Sequence, residues 1–187
     1  MGEGSEWIRN AGAALGVVVA LAAVIGVLFA AGVLGSDDSA ECDPERPFQR
    51  TPPAGMAYGS ATPELTDRFI GHVRGAGAED FGQDDIEIRV VLRAGAYLGN
   101  ATSMRVPGDI TPVRLRDYLS AELSKESEGG SARDLELDGK LVKLVRMKVE
   151  DTEVVGVMGA AGCRFVMMQG IGEADVVAAA RTLLAED

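Results

Sequence analysis

Residues 134–150 read DLELDGKLVKLVRMKVE, and how this stretch is divided decides the fold. Asp138-Gly139 is the dipeptide whose left-handed conformers close a two-residue hairpin. A turn there sets Leu135 opposite Val142 and Asp134 opposite Lys143. Leu135, Leu137, Val142 and Leu144 then share one face, yet the next apolar positions are Val145, Met147 and Val149. The alternation changes phase at Leu144-Val145. A β-bulge at that step would restore a single buried face and is the expectation; a strand covered on both faces would need none.

Working outward, DIEIRVVLR (85–93) alternates Ile86, Ile88 and Val90 with Glu87 and Arg89, as a strand with one wet face does. AYLGNATSMRV (96–106) reads as its partner. TEVVGVMGAAGCRFVMMQG (152–170) reads as two further strands joined at residues 159–162, with Cys163 inside the second. There Cys163, Phe165 and Met167 point one way, and Arg164, Val166 and Met168 the other.

Three helices separate and close these strands. Thr62-Pro63 and Thr111-Pro112 each place a capping hydroxyl before a proline suited to the first helical position. Leu65, Phe69, Ile70 and Val73 form the stripe of the first helix, which Gly75 closes; Leu115, Tyr118, Leu119 and Leu123 form that of the second. Val176, Val177, Ala180, Leu183 and Leu184 mark a buried face on the last. Residues 60–187 are therefore expected to form an α+β domain with a mainly antiparallel sheet, in the order α-β-β-α-β-β-β-β-α. At an offset of 49 residues TPELTDRFI matches TPVRLRDYL and DIEI matches DLEL, which suggests a duplication of 62–110 in 111–159.

Residues 11–34, AGAALGVVVALAAVIGVLFAAGVL, contain no charge. A helix of that length reaches roughly 36 Å and crosses a hydrocarbon core of about 30 Å with some tilt. Trp7 and Arg9 stand at its amino-terminal boundary. The run exceeds the apolar core of an ordinary signal peptide, and Glu3 and Glu6 dilute any basic leader, so a permanent signal-anchor is expected. The alternative is a secreted protein cleaved near FAAG (29–32). The sequence thus divides into a cytoplasmic tail (1–10), a membrane span (11–34), a proline-bearing stalk (35–59) and an extracytoplasmic domain (60–187). Gly12, Gly16 and Ala20 recur at four-residue spacing, a face on which two such helices could dimerise.

The two cysteines, Cys42 in the stalk and Cys163, are expected to form a disulfide if the domain is exported. Closing a loop of 121 residue steps would contribute about 4–5 kcal/mol in the chain-entropy model.

Net charge of −11 disfavours nucleic acid and anionic lipid surfaces. One histidine and two cysteines are too few for a closed four-ligand zinc site, and no cofactor is expected. His72 has no partner placeable beside it from sequence. Glu79, Asp80, Asp84 and Asp85 lack the alternating spacing of a calcium loop and read as a solvated acidic turn. Lys140, Lys143, Arg146 and Lys148 concentrate positive charge, either as a patch for an anionic partner or as charges that blunt a sheet edge. Asn100 in NAT is a sequon for N-glycosylation.

The span-stalk-domain plan and the Ala/Gly/Val-rich composition resemble uncharacterised single-pass envelope proteins of high-GC bacteria. That resemblance implies a place in the cell membrane and carries no functional residues. The expected function is a membrane-anchored binding or assembly module with an envelope protein as partner. The alternative is an envelope enzyme or enzyme accessory whose site assembles from scattered acids and hydroxyls.

Overall fold

The computed structural model describes residues 51–75, 81–106, 111–126, 129–149 and 151–185. Seven strands form one antiparallel sheet: β1 (Met56–Ser60), β2 (Ile86–Arg93), β3 (Ala96–Arg105), β4 (Ser131–Leu137), β5 (Lys140–Val149), β6 (Thr152–Ala161) and β7 (Arg164–Gly170). Their order across the sheet is β1-β2-β3-β7-β6-β5-β4, so the last strand joins the two halves. Helices α1 (Pro63–Gly75), α2 (Pro112–Glu126) and α3 (Glu173–Leu184) complete an α+β architecture, with a 3-10 turn at Gln83–Asp85. No helix among the described residues is long and apolar enough to cross a membrane. The run 11–34, with Gly12, Gly16 and Ala20, lies outside the described residues, as does Cys42.

The Asp138-Gly139 turn forms as its residue types require: φ is +51° at Asp138 and +82° at Gly139, and Leu137 faces Lys140. Leu135 faces Val142 and Asp134 faces Lys143. The expected bulge at Leu144-Val145 is absent. Pairing runs without a shift from Ser131↔Arg146 to Leu137↔Lys140, and β5 meets β6 in equally regular register. β5 is instead covered on both sides. Val142 and Leu144 enter a core with α3, while Val145 and Met147 enter a second core with α1 and α2. The phase change in the sequence marks a change of roof, not a kink in the strand.

The same division organises the whole sheet. Leu65, Phe69, Ile70, Leu115, Leu119 and Leu123 pack with Ile86, Ile88, Met104, Phe165 and Met167 on one face. Val176, Ala179, Ala180, Leu183 and Leu184 pack with Val155, Val157, Val166 and Met168 on the other. α1 and α2 thus share a face, but the strand residues matched at the 49-residue offset do not: Ile86 and Ile88 point toward those helices, and Leu137 points toward α3.

Three further boundaries differ from the sequence reading. β1 begins within the segment read as stalk and crosses into the domain at Ser60, because MAYGS is too short and too mixed to show a period. The β6–β7 connection is the pair Gly162-Cys163, with φ +56° at Gly162, so Cys163 sits in a tight turn and not inside a strand. A bulge does occur, between Val91↔Gly99 and Leu92↔Tyr97, and adds Leu98 to β3. It lies beside a close approach of β3 and β7: a Cβ on Gly99 would come within 1.9 Å of the Gln169 carbonyl oxygen. Only glycine permits that contact.

Candidate functional site

The positive residues of β5 are placed by strand geometry on two faces. Lys143 shares the side of Val145 and bridges Asp134 at 2.6 Å. Lys140, Arg146 and Lys148 share the side of α3. Arg146 and Arg133 together grip the Glu173 carboxylate in the first turn of α3, and Lys140 Nζ donates to the Leu184 carbonyl at its last turn, 2.5 Å away. Arg93 pairs with Asp175, and Arg181 lies 3.4 Å from Asp138. Acids at the amino end and a cation at the carboxyl end both oppose the helix dipole favourably. The Glu173 carboxyl is accordingly held below its ordinary range, chiefly by the hydrogen bond from Arg146. Much of the cluster that reads as a basic patch therefore holds α3 to the sheet.

The outer edge of the sheet is different. Ser131, Ala132, Arg133 and Asp134 are exposed, and β4 has neither a proline nor a bulge. In a two-residue hairpin the residues flanking the turn exchange the ladder bonds, so Asp134 and Glu136 turn their N–H groups outward. Beside this edge lies an open depression lined by Gly129, Arg146, Met147, Lys148, Asp151 and Glu153. An uncovered strand of this kind is a template for another strand. Self-pairing about an axis normal to the sheet is discouraged. The centred register sets Asp134 against Asp134, and the neighbouring ones set Arg133 against Arg133 or Asp134 against Glu136.

A second charged cluster occupies the opposite end of the sheet, on the α3 side of β1, β2, β3 and β7. The Arg89 guanidinium lies over the Tyr58 ring, 5.1 Å from its centroid, and pairs with Glu87. Burial pushes the Tyr58 hydroxyl up to about 12, against the opposing pull of Arg89. Arg164 donates from Nε to Ser103 Oγ at 2.7 Å, and Arg105 bridges Asp85 at 2.5 Å. Asp85 also accepts from the Gly82 amide at 2.8 Å and so caps the 3-10 turn. Arg105 and Arg164 stand directly opposite one another in the β3–β7 ladder. Sequence reasoning missed this pair because the two residues meet only when β7 inserts between β3 and β6.

The remaining sequence candidates are placed as follows. Among the described residues no cysteine is free; Cys163 is half-buried beside Arg164. Asn100 is 3 % exposed within β3 and bonded to Tyr97, which leaves no room for a glycan on the folded domain. Glu79 and Asp80 lie outside the described residues, as does the side chain of His72. No group of three or more His, Cys, Asp or Glu side chains among the described residues could hold a metal ion.

The fold and its surfaces define an α+β domain whose β4 edge is exposed and charge-bearing. No family model, no curated protein and no solved structure matches the chain.

Proposed function

We propose that the chain is a membrane-anchored extracytoplasmic module of the cell envelope that binds or assembles with another protein through the β4 edge. The uncharged run 11–34 supports the anchor. The observation that carries the binding role is β4 itself, exposed and regular, yet charged so that copies of itself repel. A heterologous partner strand with complementary charges meets no such penalty. Export places Cys42 and Cys163 in an oxidising compartment, and that compartment favours their pairing.

Two measurements test this reading. A tag at the carboxyl end should be removed by protease added to intact cells while the amino-terminal part stays with the membrane. A tag that remains shielded overturns the placement. A photo-crosslinker at Ala132 should capture one partner from the envelope, and Glu136→Pro, which removes an outward N–H while sparing the β5 ladder, should abolish that capture without lowering thermal stability by more than a few degrees. Undiminished capture overturns the edge as the binding surface.

A further inference from the structure

The side chains of β4 form two rows of different chemistry. Leu135 and Leu137 belong to the α3-side core, so Ala132, Asp134 and Glu136 project on the α2 side. The same three residues turn their N–H and C=O groups outward from the sheet. The α3-side row is already balanced, because Arg133 is held by Glu173 and Leu135 is half-buried beside it. The α2-side row is not. It carries two carboxylates and no cation of its own. Lys143 answers Asp134, while Glu136 is exposed and has no ion-pair partner among the described residues.

Exposed apolar surface lies on that same side. Among the described residues the large apolar side chains left exposed are Val113, at 44 %, and Leu141, at 54 %. Leu141 stands directly opposite Glu136 in the β4–β5 ladder. Its carbonyl accepts from Arg116 Nη1 at 2.7 Å, which brings the first turns of α2 to this end of β5. Val113 precedes Arg116 by three residues and so lies one turn away on the same helix face. The unpaired carboxylate therefore adjoins uncovered apolar surface. A lysine or arginine side chain matches both, since its charged head meets a carboxylate while its methylene stem covers apolar atoms. The net charge of −11 also draws a cationic segment toward the domain from a distance.

We propose that the partner at the β4 edge is a cationic strand, with lysine or arginine at alternate positions facing Asp134 and Glu136 and with apolar residues between them facing Leu135. The proposal rests on the edge reading given above and names the chemistry of the occupant. A second copy of β4 offers no such row, because its single cation, Arg133, stands on the α3 side.

The test uses the full chain in nonionic detergent and a pair of short end-capped peptides that alternate valine with lysine or valine with glutamate. The lysine peptide should bind at least about tenfold more tightly than the glutamate peptide at low salt, with the gap narrowing as salt rises. Glu136→Lys combined with Asp134→Asn should reverse that preference, and capture of the glutamate peptide by this variant shows that it is folded. N-methylation of the lysine peptide on either its lysine or its valine nitrogens places the methyl groups toward β4 in one case and away from it in the other, so one set alone should abolish binding. Equal affinity for the two peptides, or binding of neither, overturns the cationic partner. Indifference to both methylated sets overturns strand addition. A dimer of the full chain that Glu136→Pro disperses makes a second copy the occupant and overturns the proposal as well. If Glu136→Pro abolishes capture at Ala132 while the two peptides bind alike, the edge stands and only the cationic chemistry falls; undiminished capture removes the edge itself.

Discussion

Ala94 occupies the first position of the β2–β3 turn with φ +50°, followed by Gly95 at +80°. A Cβ in that region is strained, and asparagine tolerates it better. Ala94→Asn is expected to stabilise the domain by roughly 0.5–1 kcal/mol, read as a higher denaturant midpoint at unchanged slope. Gly99 shows the reverse constraint, since its absent side chain is where the Gln169 carbonyl stands. Gly99→Ala should cost more than about 3 kcal/mol, because backbone on both strands must move. Tyr58 supplies a pH prediction. Its folded pKa of about 12 lies above the ordinary value of 10, through burial. Its contribution is therefore complete below pH 10 and is lost as pH rises toward 12, where the unfolded chain ionises first. Denaturant titrations at pH 9 and pH 11 should show a fall that Tyr58→Phe makes shallower.

β5 is the element on which sequence and structure part most informatively. Its amino-terminal half buries even-numbered residues under α3, and its carboxyl-terminal half buries odd-numbered ones under α2. At the overlap both Leu144 and Val145 are no more than 1 % exposed, whereas Leu141 is 54 % exposed. Leu144→Ala should cost about 2–5 kcal/mol and Val145→Ala about 1–3 kcal/mol, while Leu141→Ala should stay within about 0.5 kcal/mol. A bulged strand would leave one of the first two nearly silent, so the three midpoints together check the two-roof arrangement. The hairpin itself was legible, since Asp138-Gly139 carries its own backbone preference and sets the register residue by residue. The roof was not, because period alone does not say which helix covers a strand. β1 was missed for a related reason: an edge strand of five residues earns its place by pairing with β2, which no local pattern announces.

Across the molecule, β7 is the strand that makes one sheet of two. It pairs with β3 on one side and β6 on the other, and α3 packs back on β6 and β7 immediately afterward. A chain ending before Arg164 keeps both hairpins in sequence yet leaves their buried faces without a common centre. Such a chain should show no cooperative thermal transition and should bind hydrophobic dye, whereas the full domain should unfold in one step. The same topology explains why the Arg105–Arg164 corner could not be read from the chain: its members are separated by one helix and three strands and meet only through β7.

The sequence by itself determined the local pieces: the three helices, two of them with proline starts, the paired strands, the Asp138-Gly139 turn and the uncharged run at 11–34. Each follows from preferences a residue carries with it or shares with near neighbours, such as backbone conformers, caps and periodic burial. Tertiary structure alone decided the sheet order, the two cores on its faces, the gripping of α3 by Arg133 and Arg146, and the opposed arginines beside Cys163. Those features depend on contacts between residues far apart along the chain, whose pairing is set by the total burial and hydrogen bonding of the whole sheet and not by any segment of it.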